Sequence, residues 1–436
     1  MNNGKKRLEL QAEAKMKKIM AVISAVCMLA LAACASTGQG TKNKGEENTV
    51  THPLGVKDSD YQQIMKSSVV SEGNFFRLKN VLERLKKGEK IYVAALGGSV
   101  TEGAGPADYR DGYAYQFAKK LAGFTPDNGA GILFNGAGLS GTPSPLGLVR
   151  YQSDVVDVLG HTPDLLVIEF AVNDGGEPTG TRAFEALIRG ALEQNPDTAV
   201  IALYSAALYQ NTQRQMKPVA DYYGIPQVSI SDAISRPVAD GIFSDKDFFT
   251  DNVHPTKGGH ELMADCLVNM LRLADGAPMP EEFSVPAETL KSPSFVGLKR
   301  ISGDDGNVRI TAGGFSSTDP NCQTIKKTNR SDFPQNWYHS PAGGADSFVM
   351  EIDCRNLLFV YKENGSWTNI PFGRAEVYVD GKLAGTYDGG KSGGWNNAVT
   401  VKLIDEAESS VHKVEVKMAE GSEKKGFTIV AMGYTK

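Results

Sequence analysis

The pattern of hydrophobic positions divides the chain near residue 286. From residue 56 to 273, short continuous apolar runs alternate with longer stretches whose apolar residues recur every three or four positions. The runs predict buried strands and the longer stretches predict amphipathic helices. The predicted strands are the run beginning at Ile91, then 131–135, 164–172, 198–204 and 226–230; the predicted helices are 74–87, 113–121, 145–159, 182–194, 211–223 and 256–273. Strands alternating with helices predict a parallel sheet in a three-layer α/β/α sandwich.

The pattern beyond residue 286 alternates between apolar and polar positions instead. Residues 274–286 are rich in proline and predict a linker. Short strands are expected at 376–379, 399–403, 412–416 and 427–432, and Asp380-Gly381 favours a hairpin turn. Residues 287–436 therefore predict an all-β sandwich or jelly roll.

The first 55 residues have no such periodicity. Lys15, Lys17 and Lys18 precede a 13-residue, largely apolar run, Ile19 to Leu31, as in a secretory signal. Leu31-Ala32-Ala33-Cys34 resembles a bacterial lipobox, so we predict a signal peptide over 1–33 and lipidation of Cys34. A flexible tether over 34–55 would follow. The alternatives are an ordinary signal cut nearby or a short buried helix.

Composition narrows the function further. The hydrophobic fraction is 41%, the charged fraction is 22% and the formal net charge is −5, with no long basic run outside the amino terminus. These values fit a folded, water-soluble protein and argue against nucleic-acid partners. From the leader and the lipobox, we expect a bacterial extracytoplasmic protein that is anchored to a membrane by lipid.

The cysteines show no metal-ligand spacing, so we expect no zinc site and no cofactor. Of five, Cys27 would leave with the signal and Cys34 would be modified. Cys266, Cys322 and Cys354 remain, and the sequence leaves open whether the last two form a disulfide.

The turn after the first strand carries the first candidate for chemistry. Residues 91–103 read IYVAALGGSVTEG, an apolar run that ends in Gly97-Gly98-Ser99. A tight turn at the carboxyl end of a buried strand presents one hydroxyl where open α/β sheets bind ligands. We interpret Ser99 as a nucleophile.

Three further loops supply its partners. Asn135–Thr142 and Asn173-Asp174 follow later strands, and Asp251–Pro255 precedes the last helix. A serine needs an imidazole to take its proton and a carboxylate to orient that imidazole, which His254 and Asp251 can supply. The backbone amides of Ser99 and Gly141 and the side chain of Asn173 are the predicted oxyanion-hole donors.

Together these motifs resemble the four ordered blocks of the SGNH hydrolases, also called GDSL esterases. The blocks map to 97–100, 138–141, 171–174 and 251–254. The resemblance implies a flavodoxin-like catalytic domain over 56–273 and ester hydrolysis through an acyl-serine. Gly98 replaces the aspartate of the usual Gly-Asp-Ser.

Each block also has a less specific interpretation. The Gly-Gly-Ser turn could bind phosphate, but no lysine adjoins it. Asn173-Asp174 could cap the next helix, and Asp251 with His254 could be half of a metal site. Four other polar residues lie near these blocks. Glu102 and Asp174 border the predicted site and either tune it or face solvent, and Arg150 either reaches the site or faces solvent. For His260, near the start of a helix, a structural role is favoured over a catalytic one.

The substrate class follows only from the resemblance. A secreted domain of this type with a β-sandwich appendage is similar to bacterial esterases that remove acetyl groups from glycans. All three tryptophans, Trp337, Trp367 and Trp395, lie in the appendage, and exposed aromatic faces suit sugar rings. Trp395, in the loop GGWNN, is the best candidate for sugar binding. The alternatives are a lysophospholipase or general short-chain esterase, and a non-catalytic glycan-binding surface lipoprotein.

Overall fold

The computed structural model describes residues 52–176, 178–302, 305–325, 330–331, 333–365 and 370–436. The predicted signal peptide, Cys34, the tether as far as residue 51 and Trp367 lie outside these ranges. Within them no helix is both long and apolar enough to span a membrane.

Residues 56–273, called here the α/β part, fold around one sheet with the order β1-β6-β5-β4-β2-β3. The strands are β1 Val69–Ser71, β2 Ile91–Gly97, β3 Ile132–Gly138, β4 Leu165–Glu169, β5 Ala199–Tyr204 and β6 Gln227–Ser229. The helices are α1 Asp58–Ser67, α2 Phe76–Lys86, α3 Ser99–Glu102, α4 Tyr113–Lys120, α5 Ser144–Tyr151, α6 Asp157–Leu159, α7 Pro178–Gln194, α8 Gln213–Tyr222, α9 Ile230–Ala239, α10 Asp245–Phe248 and α11 Lys257–Gly276. Separate apolar clusters cover the two faces of the sheet, which confirms the predicted three-layer sandwich.

The sheet is parallel from β2 to β6, but β1 pairs antiparallel with β6 at its edge. β1 was not predicted from the sequence, because its three half-buried residues form too short a pattern to recognise. The chain from β2 goes to β3 on one side and later to β4 on the other. The carboxyl ends of β2, β3 and β4 therefore surround the topological switch point, where such sheets bind ligands.

One predicted helix is interrupted. Residues 145–159 form α5 and α6 with a π-helical turn, Gln152–Val156, between them. Arg150 and Asp154 form a fully buried ion pair at this junction, with Arg150 Nε 2.7 Å from Asp154 Oδ2.

Residues 287–436, called here the β part, form an antiparallel β sandwich, as predicted. Its strands are β7 Lys299–Arg300, β8 Val308–Thr311, β9 Thr324–Ile325, β10 Arg330–Ser331, β11 Trp337–His339, β12 Phe348–Glu363, β13 Arg374–Val379, β14 Lys382–Asp388, β15 Asn397–Met418 and β16 Phe427–Thr435. The strands predicted at 399–403 and 412–416 are one strand, β15. Its residues 405–411 are exposed, so they lack the apolar alternation that marks a strand. Asp405, Ser410 and Val411 still pair with β12, and 406–409 lie at a shift in register.

The two parts share a hydrophobic core. Leu146 and Leu187 of the α/β part belong to the same buried cluster as Phe295, Leu358 and Val430 of the β part. Residues 274–286, the predicted linker, are attached to the α/β part, because Arg189 donates a hydrogen bond to the Pro286 carbonyl at 3.0 Å. The β part is therefore packed against the α/β part.

The described cysteines are all free and buried. Cys322 lies in the core shared by the two parts, and Cys354 lies in the separate core of the β part. The disulfide that the sequence left open between Cys322 and Cys354 is not formed.

Candidate active site

Ser99 lies at the carboxyl end of β2, as the first residue of the short helix α3. Gly97 pairs with Gly138 on one side and with Glu169 on the other. The turn is tight, because a Cβ atom at Gly97 would lie 2.1 Å from Thr101 Oγ1. A Cβ atom at Gly98 would lie 2.0 Å from Asn173 Oδ1, so no side chain fits there. The replacement of the usual aspartate by Gly98 therefore has a steric reason in this chain.

His254 lies between Ser99 and Asp251. His254 Nε2 is 2.9 Å from Ser99 Oγ, and His254 Nδ1 is 2.7 Å from Asp251 Oδ2. The other oxygen of Asp251 accepts hydrogen bonds from the backbone amides of Val253 and His254, both at 2.8 Å. The structure thus brings the predicted nucleophile, base and orienting acid into one hydrogen-bonded series.

The carboxylate of Asp251 is held in its charged form. Its partial burial would raise its pKa, but the hydrogen bonds from His254 and Val253 outweigh this and place the pKa below its ordinary value. A charged Asp251 fixes the imidazole so that Nε2 faces Ser99.

The second wall of the site is the glycine loop, residues 139–144, which follows β3. Gly141 has a φ of +73°, a backbone conformation that favours glycine. The Ser140 hydroxyl donates to Glu102, and Arg150 donates to Thr142 Oγ1 at 3.2 Å. Glu102 and Arg150, for which the sequence left a solvent-exposed position open, are both buried and both hold this loop.

Asn173 and Asp174 serve different purposes. Asp174 accepts from the Ser144 amide at 2.6 Å and from the Ser144 hydroxyl at 2.7 Å, which anchors the end of the glycine loop at α5. Burial raises the pKa of Asp174 to about 6. Asn173 Oδ1 is buried without a hydrogen-bond partner in the described structure.

Glu169, which was not predicted from the sequence as a site residue, lies next to the turn that carries Ser99, because it pairs with Gly97. It is fully buried at the end of β4, and Thr101 Oγ1 donates to it at 3.0 Å. Burial raises the pKa of Glu169 to about 7, although the neighbouring hydroxyls of Ser205 and Thr101 and the Gly98 amide oppose the shift. An acidic residue inside an otherwise apolar strand was the available signal.

His260 has the structural role that the sequence favoured. It is buried, its Nδ1 accepts from the Tyr113 amide at 3.1 Å, and its Nε2 lies 3.0 Å from the Ala104 carbonyl. Burial lowers the pKa of His260 to about 4. The two contacts of His260 fix the segment that follows α3. His260 forms no hydrogen bond with Ser99 Oγ.

The β part also reaches this site. The ring of Trp395 lies 2.9 Å from the position that a Cβ atom on Gly141 would take, and Trp395 is 41% exposed. Gln323 Nε2 donates to the Ser140 carbonyl at 2.9 Å. Trp337, in contrast, packs edge-on against Phe348 in the core of the β part, with ring centroids 5.5 Å apart.

A separate groove of about 1030 Å³ lies between the two parts. Tyr151, Gln194, Arg300 and Tyr434 are among the residues lining it. Ser99 and His254 are not, so this groove is distinct from the candidate active site.

The chain is similar to known hydrolases in sequence and in fold. Residues 95–262 match the model of the GDSL-like lipase/acylhydrolase family. A two-domain esterase (CEX) active on acetylated mannans is 26% identical with a TM-score of 0.73, over 85% of this chain and 99% of that chain. Its structure co-crystallised with mannopentaose matches at 25% identity, with the same TM-score and coverage. No curated protein matches the sequence.

The family match covers the Ser, Gly, Asn and Asp-His blocks, and the two-domain match extends through the β part. Together they confirm the resemblance predicted from the motifs and support a carboxylic ester hydrolase. Residues 95–262 therefore resemble a GDSL-like lipase/acylhydrolase domain, within a chain whose fold matches that of a two-domain esterase.

Proposed function

We propose that this protein is a serine esterase that removes O-acetyl groups from a polysaccharide or oligosaccharide. The observation that carries the proposal is the series Ser99–His254–Asp251, with contacts of 2.9 and 2.7 Å at the switch point of the sheet. A hydroxyl, an imidazole and a carboxylate in this order are what nucleophilic attack on an ester requires.

In the proposed mechanism, His254 Nε2 takes the Ser99 proton as Ser99 Oγ attacks the ester carbonyl. The amides of Ser99 and Gly141 and the Asn173 side chain donate to the oxyanion that forms. The intermediate collapses to acetyl-Ser99 as the bond between the carbonyl carbon and the sugar oxygen breaks, and His254 gives its proton to that oxygen, so the sugar leaves as an alcohol. Water, deprotonated by His254, then releases acetate and restores Ser99.

Two observations favour a glycan as the substrate. The half-exposed ring of Trp395 lies beside Gly141, where a sugar bearing the acetyl group could stack on it. The matching two-domain esterase is active on acetylated mannans, and its fold covers both parts of this chain. We therefore propose an acetylated mannan-type glycan as the first substrate to test.

The test is acetate release from a panel of acetylated mannan, xylan and peptidoglycan, with wild type beside Ser99→Ala. The proposal expects release that depends on Ser99, with mannan among the substrates. Hydrolysis of p-nitrophenyl octanoate in preference to the acetate ester, with no release from any glycan, would instead indicate a lipase-like or general esterase. Glycan binding with no ester hydrolysis at all would indicate a non-catalytic binding protein.

We also propose that the protein is exported and anchored through a lipid on Cys34. The support is the sequence Leu31-Ala32-Ala33-Cys34 after a basic and apolar leader. Metabolic labelling with a fatty acid should mark the wild type and not Cys34→Ser. Equal labelling of both would contradict the anchor.

A further inference from the structure

The peptide group of Gly141, the predicted oxyanion-hole donor of the glycine loop, accepts a hydrogen bond from Gln323 of the β part. Gln323 is 8% exposed, and its Nε2 donates to the Ser140 carbonyl at 2.9 Å. Ser140 C=O and Gly141 N–H belong to the same peptide group. In a trans peptide these two point in opposite directions, so a contact that fixes the carbonyl also aims the N–H.

The orientation of the Gln323 amide is fixed from both ends. Its Oε1 accepts from the Ala398 amide at 2.9 Å, while its Nε2 faces the Ser140 carbonyl. A flipped amide would set oxygen against oxygen and N–H against N–H. Ala398 lies on β15, three residues after Trp395, so Gln323 also joins the glycine loop to the segment that carries Trp395.

The segment before Gln323 is anchored in the β part. Asp319 and Lys362 form a buried ion pair, and Thr428 Oγ1 donates to Asp319 at 2.7 Å. Lys362 also donates to the Asn321 carbonyl at 3.3 Å. Gln323 therefore extends from a fixed base, and its contact with Ser140 can hold the glycine loop in one conformation.

We propose that Gln323 is a positioning residue for ester hydrolysis, which aims and polarises the Ser140–Gly141 peptide as an oxyanion donor. This inference rests on the proposed esterase function. A hydrogen bond to a peptide carbonyl strengthens the N–H of the same peptide as a donor. The gain appears mainly when the carbonyl oxygen of the substrate becomes an anion, so it stabilises the transition state rather than the bound ester.

The test compares four variants of the whole chain on p-nitrophenyl acetate. Gln323→Glu keeps the side-chain length and the acceptor for the Ala398 amide, but loses the donor to Ser140. Gln323→Ala loses both contacts. Arg182→Gln is the control, because it breaks the Arg182–Asp405 contact of 2.8 Å between the two parts without touching the glycine loop. Ser99→Ala tests the proposed function itself.

We expect both Gln323 variants to lower kcat about tenfold with KM within about twofold, and Arg182→Gln to match wild type. The thionoester analogue, with C=S in place of C=O, gives a second readout, because sulfur is a weak hydrogen-bond acceptor. The Gln323 variants should slow the thionoester much less than the oxygen ester, whereas general loosening of the fold would slow both alike.

The inference would be overturned by wild-type kcat in Gln323→Glu or by an equal loss of rate on the oxygen ester and the thionoester. A loss of kcat in Arg182→Gln equal to that in the Gln323 variants would also overturn it. Thermal unfolding identifies a variant that fails to fold, and Gln323→Glu then carries the test if Gln323→Ala does not fold. Activity retained in Ser99→Ala would instead overturn the proposed function, so the two failures are distinguishable.

Discussion

The two walls of the candidate active site are built in different ways. The wall formed by Ser99, His254 and Asp251, called here the triad wall, comes from the α/β part alone. Its Asp251–His254 contact joins residues only three apart in sequence. The other wall, called here the glycine wall, is the glycine loop. In the α/β part it is held by Glu102, Arg150 and Asp174. In the β part it is held by Gln323, which is 183 residues from Ser140.

This difference indicates how the β part can affect catalysis without supplying the nucleophile, the base or the acid. In the proposed mechanism the triad wall generates the attacking group, and its geometry depends on the α/β core. The glycine wall borders Trp395 and would receive the oxyanion in the same mechanism. Changes to the triad should therefore abolish turnover of every ester, whereas changes to the contacts from the β part should reduce rate or select among substrates.

The largest effect is expected for Ser99→Ala. Loss of the nucleophile should lower kcat on p-nitrophenyl acetate by about 10⁵-fold or more, with an unchanged thermal unfolding midpoint. Ser153→Ala, a half-buried serine in the separate groove, is the matched control and should retain wild-type kcat. A Ser99→Ala rate within about tenfold of wild type would remove Ser99 from the mechanism.

The next largest effect is expected for Asp251→Asn. It keeps the size of the side chain but no longer fixes the His254 tautomer, so kcat should fall about 10³- to 10⁴-fold. The matched control is Asp247→Asn, four residues earlier, whose carboxylate caps α10 through Ser244. Steady-state kinetics on p-nitrophenyl acetate measure both, and equal losses in the two variants would contradict the assignment of Asp251.

Glu169→Gln tests the buried carboxyl group next to the turn that carries Ser99, through the pH dependence of the free energy of unfolding. Burial raises the pKa of Glu169 to about 7 in the folded protein, from 4.5. A raised pKa contributes stability that is full below the unfolded value and is lost as pH rises through the folded value. The free energy of unfolding of wild type, relative to Glu169→Gln, should therefore fall by about 3 kcal/mol from about pH 4 to about pH 8.

Urea unfolding at several pH values measures this difference. The glutamine variant cannot titrate at residue 169, so its curve supplies the reference. A difference between wild type and variant that is constant with pH would contradict a raised pKa for Glu169. A difference that grows with pH would mean that the shift has the opposite sign.

The smallest effect is expected for Trp395→Ala, at the glycine wall. Loss of the stacking face should lower kcat/KM on an acetylated glycan about tenfold, while kcat/KM on p-nitrophenyl acetate stays within about threefold. Trp395→Phe should be intermediate on the glycan, because a smaller ring remains. An equal loss on both substrates would mean that Trp395 acts on the glycine loop instead of on the sugar.

The triad wall could be predicted from sequence because each of its elements has a local signal. The run into Gly97-Gly98-Ser99 marks a buried strand and a tight turn, and Asp251 and His254 lie in one short loop. Since parallel strands align their carboxyl ends, topology alone brings these loops together. Asn173 and Gly141 were predicted in the same way.

The glycine wall could not be predicted to the same depth. Gln323 follows Cys322 in a segment without apolar periodicity, and nothing local relates it to Ser140. Glu169 lies in an apolar strand, and a single acidic residue there only interrupts the hydrophobic pattern. The joining of 399–403 and 412–416 into β15 was missed because the exposed middle of that strand carries no alternation. These features depend on contacts between distant segments.

The most direct test of the account is covalent labelling with a p-nitrophenyl organophosphate, which mimics the tetrahedral intermediate and stays on an activated serine. The account predicts one equivalent of p-nitrophenolate per chain, loss of esterase activity in proportion, and the phosphoryl group on the peptide containing Ser99. It also predicts that Asp251→Asn reacts far more slowly than Asp247→Asn. Full labelling at a different residue, or labelling of Ser99 with esterase activity retained, would contradict the account.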